Sequence, residues 1–361
     1  MDKSTVLSLG IRRMDGAVRE WAYLKLGMDF TRPDSIHATV NHRCNYKCPY
    51  CYSWQRSEYP EISIDEWKSG LLSLKEYVGE YTIQFSGGEP FLKKGFPDLL
   101  AYCRDNGIRW GVISNGSVFA QNIVAKVVDA LPLNIDISID SPDPTANDLV
   151  RGAKGSVPVI AMGIQRLADE RRKRKGDFLI RVKPTVTAHN VDTLPALVSW
   201  ATGCGADIVD FSVVRPEAFW TQKTYANVWV DETRLAKLSA SIDKLICMKN
   251  SGAAIETSIE KLLSFAPHFQ GLDVKHGAVP CRVGMRDYFI SPSGDVNMCW
   301  EFPAIGNITK NSAKEIWEGP MAISVRGDTV RCGKFGSIIC ANSCRTHRTI
   351  KQEIARAIQW L

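Results

Sequence analysis

The sequence predicts an α/β fold that is built around a parallel sheet. Between about residues 35 and 215, short apolar runs alternate six times with longer amphipathic segments. Strands that are separated by helices favour parallel pairing through right-handed crossovers. The apolar runs are nearly continuous, as in residues 135–139, which is typical of strands that helices cover. Periodicity alone does not distinguish an open doubly wound sheet from a partial barrel.

The predicted elements follow one another in a regular order. The strands are expected at residues 36–40, 81–85, 108–113, 134–139, 178–186 and 208–214. The first intervening helix begins at Ser63, because Glu66 lies three residues later and the pair has the pattern of a capping box. Further helices are expected at residues 96–106, 121–131, 157–174, 194–202 and 231–250. We therefore divide the chain into a lead-in at residues 1–34, a βα domain at 35–230, a helical linker at 231–279 and a cysteine-rich domain at 280–361.

The composition is ordinary for a soluble globular protein. The chain has 361 residues, of which 45% are hydrophobic, and no apolar stretch reaches the ~18–20 residues that a membrane span needs. The N-terminus has no basic segment followed by an apolar one, so we predict no secretory signal. Eleven cysteines in such a chain, clustered at ligand-like spacings, favour metal binding in a reducing cytoplasm over disulfides.

Much of the net charge of +6 comes from one basic run, residues 171–175. The run is consistent with an anionic partner, or with a solvated helix end whose cations suit the helix dipole. We prefer the helix end, because the run closes a predicted helix. No basic surface interleaved with aromatic residues is visible, so we predict no nucleic-acid partner.

Three cysteines on one predicted loop are the clearest chemical signal. Cys44, Cys48 and Cys51 have the spacing C-x3-C-x2-C and follow the first predicted strand. Structural zinc sites need four ligands. Three thiolates suit a [4Fe–4S] cluster in which one iron stays open to a substrate or cofactor. Half of a zinc site, completed from elsewhere in the chain, is the alternative.

A glycine-rich turn follows one βα unit later. Gly87, Gly88, Glu89 and Pro90 end the second predicted strand. By itself such a turn could end any strand. Together with the cysteine spacing and the aromatic Tyr50 before the third cysteine, it resembles the signature of the radical S-adenosylmethionine (radical SAM) superfamily.

This resemblance implies a fold, a set of cofactors and a chemistry. The expected fold is a (β/α)6 partial TIM barrel whose site lies at the C-terminal ends of the strands. The expected cofactors are a SAM-binding [4Fe–4S] cluster and SAM, and the expected partner is a low-potential electron donor of the flavodoxin or ferredoxin type. The cofactors then supply a 5′-deoxyadenosyl radical, which abstracts a hydrogen atom from the substrate.

The resemblance also implies that polar groups at the strand ends contact SAM. The two glycines let the backbone approach SAM, and Glu89 accepts a hydrogen bond from the SAM ammonium group. The expected contacts after the third, fourth and fifth strands are Ser114, Asn115, Ser138, Asp140, Arg151 and Lys183. Arg151 or Lys183 could pair with the SAM carboxylate, and either could instead satisfy a strand end.

A second group of cysteines lies beyond residue 280. Cys281 and Cys299 flank a predicted hairpin with its turn at residues 291–295, and the spacing C-x12-G-x4-C resembles the SPASM and Twitch extensions of the superfamily. Those extensions bind auxiliary iron–sulfur clusters. The SPASM pattern is incomplete here, because Lys334 stands where one of its cysteines would fall. We predict that four of five cysteines hold one auxiliary [4Fe–4S] cluster, zinc being the alternative: Cys281, Cys299, Cys332, Cys340 and Cys344.

Three enzymatic functions remain open at this point. We favour an oxidoreductase that dehydrogenates a small-molecule alcohol, such as a sugar or aminocyclitol, with the auxiliary cluster as electron acceptor, because the short lead-in cannot house a peptide-binding domain. The alternative is a peptide maturase that forms a thioether, a carbon–carbon crosslink or formylglycine. A radical epimerase would need a cysteine as hydrogen donor, but Cys103, Cys204 and Cys247 are predicted to be small buried side chains. The intact cysteine loop argues against a non-catalytic metal-binding protein.

Overall fold

Six parallel strands form the centre of the sheet, as predicted. The computed structural model describes residues 3–215, 228–272 and 280–332, with side chains from residue 14 onward. The six strands are β1 (Ser35–Thr39), β2 (Thr82–Ser86), β3 (Arg109–Ser114), β4 (Asn134–Ile137), β5 (Leu179–Val182) and β7 (Ile208–Val209). Each pairs in parallel with the next one along the chain. The polar residues that follow the strands therefore meet at one edge of the sheet.

Helices connect the strands and cover one face of the sheet. They are α1 (Lys3–Leu26), α2 (Ile64–Val78), α3 (Phe96–Asp105), α4 (Gln121–Asp129), α5 (Pro144–Arg151), α6 (Ser156–Lys173), α7 (Leu194–Cys204), α8 (Glu232–Asn250), α9 (Ile259–Leu263) and α10 (Phe265–Phe269). Ser63 and Glu66 form the predicted capping box at the start of α2. The sequence analysis missed α5, whose start is marked by the Asp143 cap and by Pro144 in the first turn.

The two faces of the sheet differ in character. Alternate residues such as Ile36, Phe85 and Ile135 are fully buried in the core that the sheet shares with its helices. The residues between them are polar and only partly buried on β1 and β2. Since successive side chains of a strand point to opposite faces, the second face is a polar inner face.

Two of the predicted strands are interrupted. Residues 178–186 form β5 and then β6 (Thr185–Val186), because Pro184 has no N–H group to continue the ladder. Residues 208–214 likewise form β7 and β8 (Ser212–Val213), and β6 and β8 pair as a separate small sheet. The chain therefore bends away from the main sheet just beyond Lys183.

The C-terminal region continues the main sheet. It contains β9 (Asp287–Ile290), β10 (Asp295–Asn297), β11 (Gly306–Asn307), α11 (Ala313–Glu318) and α12 (Pro320–Val330). β9 and β10 form the predicted hairpin, with Ser291 N donating to Asp295 O (2.8 Å) at its turn. β9 also pairs in parallel with β1, which gives the strand order β11-β10-β9-β1-β2-β3-β4-β5-β7.

The lead-in packs against this C-terminal region. Glu20 in α1 is buried and pairs with Arg282 (3.0 Å) and with Arg286. The indole of Trp317 in α11 donates to Thr31 O (2.9 Å). The two ends of the described chain are therefore joined on the β9 side of the sheet.

The prediction for the basic run is confirmed, whereas the prediction for the three remaining cysteines is wrong at one of them. The basic run ends α6, where Arg171 pairs with Asp207 (2.5 Å), so the run forms a helix end with local partners. Cys103 and Cys204 are buried as predicted, but Cys247 is exposed, because it lies beside the buried stripe of α8 and not within it. None of the described helices has the length and apolar character of a membrane span.

Candidate active site

The cysteine loop, residues 41–52, leaves the C-terminal end of β1 and rests on the turn that ends β2. Gly88 N donates a hydrogen bond to Asn41 O (3.0 Å), and Glu89 N donates one to Arg43 O (2.7 Å). The Asn41 side chain donates in return to Glu89 O (2.8 Å). Three hydrogen bonds therefore fix the start of the loop before its first cysteine.

The two glycines of the turn allow this contact. A Cβ atom at Gly88 would overlap the carbonyl oxygen of Arg43, and one at Gly87 would lie 2.7 Å from Asn41 O. Pro90 then begins a short 3-10 helix. The close approach that these glycines allow within the chain is thus to the cysteine loop, and the approach to SAM that the resemblance implies stays a prediction.

The Glu89 carboxylate joins the ends of β2 and β3. It is fully buried and accepts hydrogen bonds from Ser114 Oγ (3.0 Å), Asn115 N (2.8 Å) and Phe91 N (3.3 Å). Burial raises the pKa of Glu89 to about 7, and the three donors moderate that rise. The chain itself thus supplies donors to both carboxylate oxygens, and the contact of Glu89 with the SAM ammonium stays a prediction.

Asn115 extends the support from β3 to the first cysteine. Its side-chain amide donates to Asn45 Oδ1 (2.8 Å) and lies 3.7 Å from Cys44 Sγ. Tyr46 N also donates to Cys44 Sγ (3.4 Å). Two N–H groups therefore point at the sulfur, and such contacts tune a cluster that a thiolate holds.

A buried ion pair supports the other end of the loop. Arg151, at the end of α5, places Nε and Nη2 2.8 Å and 2.9 Å from the two carboxylate oxygens of Asp140. Tyr50 OH (3.2 Å) and Thr185 N (2.6 Å) donate to the same carboxylate. The Arg151 guanidinium also lies close enough to Cys48 to lower the pKa of that thiol, although burial raises it more. The pair therefore connects β4, α5 and the second cysteine.

The three thiols form one group whose chemistry fits an iron–sulfur cluster. Cys48 lies close enough to Cys44 and Cys51 for both to raise its pKa, and burial, the main cause, brings that pKa to about 12. A thiolate there needs a bound cation. Across the described part of the chain, no three His, Cys, Asp or Glu side chains are placed around a single ion. A cubane holds each thiolate on a separate iron, so its ligands need not converge on one point.

Lys183 belongs to a charge network on the polar inner face that sequence reasoning did not find. The network consists of Asp136, Arg181, Lys183, Asp210, Glu256 and Lys261. Arg181 bridges Asp136 (2.9 Å) and Glu256 (2.6 Å), and Lys183 lies 3.2 Å from Asp210. Despite burial, the neighbouring lysines hold the pKa of Asp210 below its usual range. Polar residues at alternate positions of β4 and β5 were the available signal.

Ser138 and Ser114, which were also predicted to contact SAM, lie at the ends of β4 and β3. Ser138 follows β4 and is fixed by its backbone, since Ser138 N donates to Ser114 O (2.9 Å). Ser114 itself donates to Glu89, as described above. The predicted residues after β2, β3 and β4 therefore lie together around the cysteine loop, and Lys183 lies on the inner face beyond β5.

The second cysteine group is only partly within the described residues. Cys281 and Cys299 are buried side by side with Val283 and Phe302. Cys332 is half-buried just after α12. Cys340 and Cys344 lie outside the described residues. Cys281 and Cys299 thus pack among apolar side chains, unlike the polar surroundings of the cysteine loop.

Two family models match the chain in the regions just described. The radical SAM superfamily model matches residues 39–191, and the SPASM model, an iron–sulfur cluster-binding domain, matches residues 281–345. The first span contains the cysteine loop and the turns after β2, β3 and β4. The second contains all five C-terminal cysteines.

Individual proteins are similar along most of the chain. A PqqA peptide cyclase of Rhodopseudomonas palustris is 26% identical over 309 residues, which cover 82% of this chain and 76% of that protein. An AdoMet-dependent heme synthase of Methanosarcina barkeri is 26% identical over 295 residues, which cover 76% of this chain and 79% of that protein.

The fold is also that of a solved structure. SuiB of Streptococcus suis bound to S-adenosylmethionine superposes with a TM-score of 0.66 at 17% identity, covering 92% of this chain and 78% of that one. The likeness confirms the partial TIM barrel with a C-terminal extension. The domains imply a SAM-binding [4Fe–4S] cluster, SAM and auxiliary iron–sulfur binding, as predicted. The chain therefore belongs to the radical SAM superfamily and carries a C-terminal SPASM domain.

Proposed function

We propose that this radical SAM enzyme modifies a peptide. The observation that carries the proposal is the similarity to a PqqA peptide cyclase, which extends over 82% of this chain and 76% of that protein. This was the alternative in the sequence analysis. The predicted oxidation of a small alcohol rested on the short lead-in and has no support among the curated relatives named here.

The proposed roles of the loop residues follow from their contacts. Cys44, Cys48 and Cys51 would hold the SAM-binding cluster, and SAM would bind at its open iron. When bound, these groups supply a hydrogen-atom abstractor, and an auxiliary cluster supplies an electron acceptor. Asn115 acts as a positioning residue, because it contacts Cys44 Sγ and Asn45. Arg151 acts as a second one, because it holds the Asp140 carboxylate that accepts from Tyr50 in the loop.

The proposed site for the peptide is the polar inner face. A peptide backbone brings N–H and C=O groups that need partners when they leave water. The charge network offers donors at Arg181 and Lys183 and acceptors at Asp136 and Asp210, within reach of one extended segment. Lys183 is about a quarter exposed, so it remains accessible beside the strand ends.

The test is a modification assay with a peptide. The anaerobically reconstituted chain is incubated with SAM, a reductant and short peptides encoded beside its gene. A crosslinked product would lose two hydrogens: one as a hydrogen atom transferred to the 5′-deoxyadenosyl radical, and one as a proton whose electron passes to the auxiliary cluster. The measurement is the peptide mass together with the yield of 5′-deoxyadenosine.

A matched pair of variants identifies the site. Lys183→Met removes a cation from the network, whereas Lys237→Met removes an exposed cation on α8 that pairs with Asp192. We expect the first to lower peptide turnover about tenfold or more and the second to leave it unchanged. Conversion of a porphyrin with every peptide left intact would contradict the proposal.

A further inference from the structure

We propose that a groove between the lead-in and the SPASM helices binds an acidic, apolar segment of the peptide substrate, away from the residue that is modified. The inference rests on the proposed function for the origin of the peptide. It concerns a surface that is separate from the cysteine loop and the inner face. The partner chemistry is a short extended peptide with carboxylates beside an aromatic or aliphatic side chain.

The groove is formed by three segments that are distant in sequence. Residues 29–32 of the lead-in form one wall, the end of α2 at Tyr77 forms the base, and α11 and α12 form the other wall. Its volume is about 480 Å³, enough for two or three side chains of a bound segment. Trp317 lies below it and fixes the lead-in through its bond to Thr31 O.

The charges of the groove favour an acidic partner. Its two carboxylates already have partners, since Asp29 pairs with Arg326 (2.5 Å) and Glu318 accepts from Tyr77 OH (3.1 Å). Arg32 is exposed, and its guanidinium lies over the ring of Tyr77 at 5.4 Å from the centroid. Arg32 is therefore a cation at the opening of the groove that pairs with no carboxylate of the described chain.

Apolar side chains at the rim would bind the apolar side chain of the peptide, as Arg32 would bind its carboxylates. Phe30 is 56% exposed and Ile323 is 54% exposed, and they belong to opposite walls. An exposed apolar patch that polar or charged groups surround often marks an interaction site. An aromatic or aliphatic side chain inserted between them would bury apolar area on both walls.

The position of the groove sets a length for the peptide. Tyr77 lies just before β2, whereas the cysteine loop rests on the opposite end of that strand. Five residues of strand span roughly 17 Å at about 3.3 Å per residue. The anchored segment and the modified residue should therefore be separated by at least about five extended residues.

Binding of a probe tests the groove without relying on catalysis. The probe is a fluorescein-labelled short peptide of glutamate, leucine and phenylalanine, and its control has lysine in place of each glutamate. Fluorescence anisotropy with the full chain should favour the acidic probe. Arg32→Glu should weaken it about tenfold or more and reverse the preference, and Phe30→Ser should weaken both probes. Arg172→Glu and Leu263→Ser are matched exposed controls and should change nothing.

Each other outcome has a defined meaning. Equal binding of the two probes, or no effect of Arg32→Glu in a variant with an unchanged circular dichroism spectrum, overturns the groove. A change in oligomeric state on Arg32→Glu would identify the groove as a contact between two copies and would also overturn it. If the Arg32→Glu variant modifies peptides with an unchanged KM, the proposed function stands and the groove is wrong. If the acidic probe binds as expected and no peptide is modified, the groove stands and the proposed function is wrong.

Discussion

The two cysteine-bearing regions of the molecule are stabilised by different interactions. The cysteine loop is held by polar groups from three strand ends, through the Glu89 turn, Asn115 and the Asp140–Arg151 pair. Cys281 and Cys299 pack against Val283 and Phe302.

Each region nevertheless has one buried arginine. Arg151 is 5% exposed and pairs with Asp140, which also accepts a hydrogen bond from Tyr50 in the cysteine loop. Arg326 is 1% exposed and binds Asp29, Gly284 O (3.1 Å) and Trp317 O (3.0 Å), so it holds the lead-in against the SPASM helices. The first arginine positions a cofactor loop and the second joins two segments of the fold. Cofactor retention should therefore distinguish the two regions better than stability.

The largest expected effect comes from removing the cysteines of the loop. Replacing Cys44, Cys48 and Cys51 with alanine should abolish 5′-deoxyadenosine formation, because SAM loses its only open iron. Iron should fall from about eight to about four atoms per chain, since each cubane contains four. Anaerobic reconstitution with iron, sulfide and zinc analysis is the measurement. Four iron in the unchanged protein, with zinc making up the difference, would contradict the two-cluster prediction.

Removing the C-terminal pair should give a different phenotype. Cys281 and Cys299 replaced with alanine should leave SAM cleavage intact but stop product formation, because the substrate radical loses its electron acceptor. With deuterium at the abstracted position, label should still reach 5′-deoxyadenosine while the modified product disappears. Full product yield would show that the SPASM domain has only a structural or docking role.

Removing either buried arginine should lower the stability of the fold by a similar amount, but only one of the two removals should affect a cofactor. Arg151→Met leaves the buried Asp140 carboxylate without its cation, and Arg326→Met leaves two buried carbonyls, Gly284 O and Trp317 O, without their donor. We expect each substitution to lower the free energy of unfolding by about 3–5 kcal/mol. Chemical denaturation measures that change. Only Arg151→Met should impair retention of the SAM-binding cluster in the folded protein. Equal cluster loss in both variants would mean that general destabilisation is responsible.

The smallest effect is a pH dependence that Glu89 imposes on the loop region. The folded chain holds the Glu89 proton up to about pH 7, whereas an unfolded carboxyl releases it near 4.5. The folded state therefore binds more protons between these values, and the free energy of unfolding falls as pH rises through this window, by up to roughly 3 kcal/mol. Above pH 7 this contribution no longer changes.

Glu89→Gln should remove that slope. Denaturation of both proteins near pH 5 and near pH 8 isolates the contribution of Glu89, since all other groups are shared. The variant should also be less stable near pH 5 by about 1–3 kcal/mol, because an amide nitrogen cannot accept the hydrogen bonds that the second oxygen accepts. An unchanged slope, with SAM affinity lowered tenfold or more, would favour direct contact between Glu89 and SAM.

Local patterns allowed much of the framework to be predicted. The βα alternation located all six core strands, and the spacing of Cys44, Cys48 and Cys51 identified the loop before any geometry was known. The partners of Arg151 could not be predicted, because Asp140 lies eleven residues away across a helix whose short start signal was overlooked. The inner-face network was missed for a related reason, since its members alternate with buried apolar residues that dominated the pattern.

The parallel pairing of β1 with β9 has a consequence for synthesis of the chain. β1 leaves the ribosome early, and its partner at residues 287–290 follows about 250 residues later. At about 5–20 residues per second, one edge of β1 stays open for roughly 12–50 s. The unpaired N–H and C=O groups of an open strand edge can form hydrogen bonds with another chain. The nascent protein therefore passes through an aggregation-prone interval that ends only when β9 emerges and closes the edge.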